Sequence, residues 1–130
     1  EVPLQMYAKA DLYIFKQQYE KANEKLDTLL SQFPDHNLTD EAYMAKAKIW
    51  ENKRNYDTAL YFLKKVYTDY SKDILADDAI FKAANIYKDQ LNDEEQAKAL
   101  YEKIILDYKG SIYKIKARDI YRKLRGDRIN

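Results

Sequence analysis

Shifting the sequence by 37 residues lays it on top of itself, and that self-similarity constrains the fold more than anything else in the chain. One column holds Ala10, Ala47 and Ala84, a second Tyr13, Trp50 and Tyr87, and a third Met6, Tyr43 and Ile80. Further along each copy Ala22, Ala59 and Ala97 coincide, as do Leu26, Leu63 and Tyr101, then Phe33, Tyr70 and Tyr108. These later columns step by 37 and then by 38, so one extra residue falls in a turn near Asn92. A period of this size is the mark of stacked helical pairs, in which no single repeat can bury its apolar face alone. The expected fold is therefore all-α: a right-handed α-solenoid of three helical hairpins plus a C-terminal capping helix, seven helices in one domain. The units are 1–36, 37–72 and 73–110, with the capping helix at 111–125.

Apolar periodicity places the helices. Glu1 to Lys16, with Leu4, Met6, Ala10, Tyr13 and Ile14, and Tyr19 to Phe33, stopped by Pro34, form the first pair. Thr39 to Asn52 and Tyr56 to Tyr70 form the second, Asp73 to Asp89 and Asp93 to Tyr108 the third, and Ser111 to Arg125 the unpaired last helix. Asn37 or Thr39, then Asn55, then Asn92 with Glu95, stand where helix caps belong, and Gly110 and Gly126 stand where left-handed residues close a last turn. A methyl side chain at a helix crossing lets two axes approach to about 8–10 Å, which accounts for the alanine columns. The 13 tyrosines suit a core in which each ring is covered while its hydroxyl reaches water.

Charge and composition remove several functions. With 23 basic and 22 acidic residues the net charge is +1, so no global field draws the chain to nucleic acid or anionic lipid. There is no cysteine, which excludes disulfides and thiolate chemistry and suits an oxidising or a reducing compartment. No apolar run approaches the roughly 18 residues that a membrane span needs. Pro34-Asp35-His36-Asn37 is a polar turn, and its lone histidine lacks the further ligands a metal would require. No glycine-rich phosphate loop, nucleophile elbow or Ser–His pairing is present, so neither catalysis nor a cofactor is expected. Asp77-Asp78 and Glu94-Glu95 fall in first turns, where the helix dipole explains them. The first unit carries no polar cap of its own. We therefore expect further repeats upstream, this being the C-terminal part of a longer repeat protein whose targeting segment or lipid anchor would lie outside the chain.

The columns resemble the tetratricopeptide repeat. Its pattern is a large residue, a small one four on, an aromatic three further, an Ala after the turn, an aromatic or Leu four later, and a closing Pro. The first unit supplies Met6, Ala10, Tyr13, Tyr19, Ala22, Leu26 and Pro34, and the second Tyr43, Ala47, Trp50, Tyr56, Ala59 and Leu63, with Ser71 for the proline. The third supplies Ile80, Ala84, Tyr87, Ala97 and Tyr101, with Glu94 and Lys109 departing from the pattern. The lengthened period is similar to repeats of bacterial cell-envelope proteins, the outer-membrane assembly and Tol-Pal-associated lipoproteins. The ending from Tyr121 to Asp127 looks like the close of long Bacteroidetes repeat proteins. The resemblance implies a non-catalytic scaffold for a protein or peptide partner, periplasmic or outer-membrane-associated, with a cytoplasmic setting left open. It also implies that first helices line a concave groove, one column being Tyr7, Met44, Phe81 and Arg118 and the next Asp11, Lys48, Asn85 and Arg122. Packing between first helices is the alternative role for Tyr7, Met44 and Phe81. Tyr7 and Asp11 stand where a carboxylate clamp would need Lys and Asn, so that mode of recognition is not expected.

Two other readings follow from the residues. The last helix and its tail carry Lys114, Lys116, Arg118, Arg122, Lys123, Arg125 and Arg128 against Asp119 and Asp127, 7 minus 2 or +5, with Lys114, Arg118, Arg122 and Arg125 on one stripe. Such a stripe is the polar cap a solenoid needs, or a site for an anionic partner, nucleic acid or lipid. Alternatively the chain is a structural terminal cap with no ligand of its own. In Arg125-Gly126-Asp127, Gly126 reads as a helix stop rather than as part of an adhesion tripeptide.

Overall fold

The computed structural model describes residues 1–127, and Arg128, counted above in the basic tail, lies outside them. Among the described residues the only regular structure is helical: α1 (Pro3–Phe15), α2 (Tyr19–Gln32), α3 (Thr39–Asn52), α4 (Tyr56–Asp69), α5 (Ala76–Asp89), α6 (Glu94–Asp107) and α7 (Lys114–Arg125). These are the seven helices and the all-α hairpin fold that the repeat implies. The chain divides into two compact units, Glu1–Phe62 and Leu63–Asn130, with the division inside α4.

Among the described residues three other than glycine have positive φ, Gln17 (61°), Arg54 (62°) and Asn92 (51°), and each sits in the turn inside a hairpin. After α1 the Gln18 N–H donates to the Tyr13 carbonyl at 2.8 Å and that of Gln17 to Ile14 at 2.9 Å. After α3 Asn55 donates to Trp50 and Arg54 to Glu51, each at 2.9 Å. Both are Schellman closures, with Gln17 and Arg54 doing what glycine usually does. The third turn is wider, since Asp93 donates to Tyr87 at 2.8 Å across six positions where the others span five. The extra residue expected near Asn92 is therefore here. It also shifts the cap: Asp93 accepts the Gln96 N–H at 3.2 Å, while Asn92 supplies the left-handed turn instead of the expected capping box.

The turns between hairpins are alike in all three repeats. His36 N–H donates to Phe33 and Thr39 to His36, then Asp73 to Tyr70 and Ala76 to Asp73, then Ser111 to Tyr108 and Lys114 to Ser111. These tandem turns consume the residues expected to open α5 and α7, so those helices begin at Ala76 and Lys114 rather than Asp73 and Ser111. Neither Asn37 nor Thr39 caps α3. The Thr39 hydroxyl donates back to the His36 carbonyl at 2.6 Å, and His36 Nδ1 accepts the Leu38 N–H. Asn55 does cap α4, accepting from Thr58 N–H at 3.2 Å. Gly126 closes α7 at φ 94°, whereas Gly110 is not left-handed and simply follows α6.

The core of the first unit is Met6, Ala10 and Ile14 from α1, Ala22, Leu26 and Leu29 from α2, and Ala42, Ala45 and Ile49 from α3. Ala10 and Ala22 are fully buried, as the crossing of α1 and α2 requires. In the second unit Ala84 and Ala97 repeat that arrangement between α5 and α6, with Ile80, Tyr101 and Ile104 fully buried beside them. Of the 13 tyrosines only Tyr61 is exposed and only Tyr101 buried, and the rest are half-covered, as a tyrosine-rich core demands.

Candidate partner-binding surfaces

In the first unit Asp11 and Lys48, expected to share a column, line one open cleft of about 300 Å³ with Ile14, Phe15, Gln17, Tyr19 and Asn52. The left-handed turn at Gln17 brings the start of α2 against the end of α1 and so forms its floor. Phe15 is 85% exposed at its rim, which is unusual for a ring in a helix that has an apolar core face. The cleft thus offers one carboxylate, one ammonium and an uncovered aromatic. Tyr7 and Met44 are half-buried. Tyr7 packs against the core, and burial, with Glu41, Asp11 and Asp40 nearby, raises its hydroxyl pKa.

The α1 helix also carries an uncovered apolar face, with Leu4 65% and Leu12 50% exposed on the line that leads to Phe15. The repeat-equivalent of Leu12 is Ile49, which is 1% exposed in the core of the same unit.

In the second unit two of the expected site residues, Phe81 and Asn85, are engaged internally. Phe81 is 9% exposed, stacked on Tyr113 with centroids 4.5 Å apart and edge-on to Tyr101 at 6.0 Å. Asn85 accepts the Tyr101 hydroxyl hydrogen. This is the packing role for Phe81, and what reaches the surface is the layer it supports. Burial holds the Tyr101 phenol well above its usual range. The Tyr113 hydroxyl donates to Asp78 at 2.7 Å, and that bond together with burial pushes its pKa up to about 12.

Register corrects the last members of both columns. The first helices start at Thr39, Ala76 and Lys114, a step of 37 and then 38. The fully buried Ala42, Ala79 and Ala117 keep that step. The equivalents of Phe81 and Asn85 on α7 are therefore Asp119 and Lys123, one position beyond Arg118 and Arg122. Arg118, Arg122 and Arg125 instead occupy the places of Ile80, Ala84 and Tyr87, which in a hairpin meet the second helix. Arg118 is half-buried with Nε enclosed and without a hydrogen-bond partner, and Arg122 is exposed. Arg125 pairs with Asp127 and lies 5.2 Å over the Tyr121 ring, so the tripeptide is folded back on itself around Gly126.

One buried charge was not legible in the sequence. Lys46 is 6% exposed, yet its ammonium donates to Asn23 at 2.6 Å, pairs with Asp27, and lies 5.4 Å over the Phe62 ring. It ties α3 to α2 within the first unit. Among the described residues no group of His, Cys, Asp or Glu could hold a metal, and no helix is long and apolar enough to cross a membrane.

The family model described as Tetratricopeptide repeat matches residues 6–36 and 78–111. The first match covers most of α1 with all of α2, and the second most of α5 with all of α6. Among curated proteins no match is found.

Proposed function

Because the chain belongs to the tetratricopeptide repeat family, whose members are non-catalytic scaffolds that generally mediate protein–protein interaction, we propose that it is itself a non-catalytic module that binds a protein or peptide partner through the faces of its first helices. The observation that carries this reading is the cleft between α1 and α3, where Asp11 and Lys48 flank the exposed ring of Phe15. A charged pair beside an uncovered aromatic can hold a partner backbone and side chain together. Tyr7 and Met44 form the half-buried apolar ground beside it, and in the second unit Phe81 and Asn85 support the contact surface from beneath. Arg118 and Arg122 supply cationic contacts on α7. A setting in cell-envelope assembly, periplasmic or at the outer membrane, is part of the same proposal and rests on the lengthened repeat period.

The test is capture from envelope extract by the wild-type chain and by an Asp11→Ala, Phe15→Ala, Lys48→Ala variant, once circular dichroism shows equal helicity. All three side chains are exposed, so the variant should fold. A partner held by the wild type and released by the variant supports the cleft. A partner held equally by both removes it.

A further inference from the structure

Among the described residues of the second unit, the least covered large apolar side chains lie together on one edge. Ile74 is 90% exposed, Ile112 87% and Ile115 66%. Ile74 and Ile112 are repeat equivalents at the tips of the turns that precede α5 and α7, where the first repeat has Asn37. No packing requirement puts isoleucine there.

Hydrogen bonds tie the two turns to one another. The Tyr108 hydroxyl donates to the Ser71 carbonyl at 2.7 Å, the Ser111 hydroxyl to Asp77 at 2.6 Å, and the Tyr113 hydroxyl to Asp78 at 2.7 Å. The tips are therefore presented as a fixed pair, with Ile115 one helical turn beyond Ile112. Around them stand Lys72, Lys109 and Lys116, all exposed, and Lys114, half-buried, against the exposed carboxylate of Asp73, the half-buried ones of Asp77 and Asp78, which the Ser111 and Tyr113 hydroxyls engage, and the exposed Asp107, which pairs with Lys103. The α7 segment continues the charge with Arg118, Arg122, Lys123 and Arg125 against Asp119 and Asp127.

We propose that this edge, turns 71–75 and 109–113 with the first turn of α7, docks on an anionic lipid bilayer surface, the isoleucines entering the headgroup boundary and the lysines meeting the lipid phosphates and carboxylates. Side chains that project from turn tips have no concavity in which to seat a protein partner's side chain, whereas a bilayer closes around them. A nucleic acid would satisfy the lysines but leave the isoleucines idle, because they present no ring for a base to stack on. Juxtaposed basic and apolar groups match the two attractions that a negatively charged leaflet offers. The attachment is peripheral and reversible, since no described helix can cross a membrane.

The experiment is co-sedimentation of the full chain with vesicles of phosphatidylcholine alone or mixed with phosphatidylserine, beside an Ile74→Ser, Ile112→Ser variant of equal helicity. Heparin binding serves as the control for charge alone. Sedimentation with the phosphatidylserine vesicles only, weakened about tenfold or more in the variant, is the expected result. No sedimentation with either vesicle overturns the proposal. Equal sedimentation of variant and wild type also overturns it, because the edge would then be a polyanion site, with heparin binding unchanged by the substitutions.

Discussion

Removing the carboxylate of Asp27 and removing the ammonium of Lys46 should have unequal consequences, although they are partners in one ion pair. Lys46 is 6% exposed, while the Asp27 side chain is 60% exposed. In Lys46→Met the stem still fills its space, Asp27 returns to water, and only the half-buried Asn23 oxygen loses a donor. That should change stability by less than about 1 kcal/mol. In Asp27→Ala the ammonium remains enclosed, keeping the Asn23 oxygen and the Phe62 face but losing its carboxylate. Breaking a fully buried pair from one side costs about 3–5 kcal/mol, and the open side of this site reduces that to roughly 1–3 kcal/mol. The double variant should resemble Lys46→Met alone, because the stranded charge is gone. Trp50 is the only tryptophan and lies in α3, so urea unfolding followed by its fluorescence reports on the first unit. Equal losses in the two single variants, or a double variant as unstable as Asp27→Ala, would refute the reasoning.

Three further outcomes follow from turns and hydroxyls. Gln17→Gly and Arg54→Gly, each relieving a left-handed residue, should raise stability by up to about 1 kcal/mol, less the entropy glycine adds to the unfolded chain, whereas Gly126→Ala should lower it by about 1 kcal/mol. Thermal melts would show shifts of a few degrees in opposite directions. Ala10→Leu or Ala84→Leu, which puts bulk at a helix crossing with no free space, should cost about 1–3 kcal/mol in chemical denaturation. Because the Tyr113 pKa is raised to about 12, folding favours the protonated phenol. Its contribution is whole below the ordinary value near 10 and is lost as pH rises towards 12. Denaturation midpoints should fall over that window, and less steeply in Tyr113→Phe.

Hairpins were legible because spacing carries them: the alanine columns mark crossings, and the step from 37 to 38 located the insertion before its turn was seen. The same spacing misled where one period was carried through that insertion, which put Arg118 and Arg122 a residue out of register. Caps were harder, since Asn92 and Asp93 both suit the role and only backbone dihedrals separate the left-handed residue from the cap. Asp73 and Ser111 look like helix starts, but their backbones are spent in tandem turns. Phe81 read as a groove residue because nothing in its own repeat shows that Tyr113, 32 positions later, covers it. Phe15 and Lys46 escaped for opposite reasons, one being an aromatic off the core stripe that stays open and the other a lysine whose polar partners arrive from a different helix.

Hydrogen–deuterium exchange on the chain with and without its captured partner tests the central claim most directly, that first-helix faces do the binding. Added protection is expected in 3–15 and 39–52, the helices that supply Asp11, Phe15 and Lys48, and its loss in the Asp11→Ala, Phe15→Ala, Lys48→Ala variant. Protection confined to the second helices, 19–32 and 56–69, would contradict that claim.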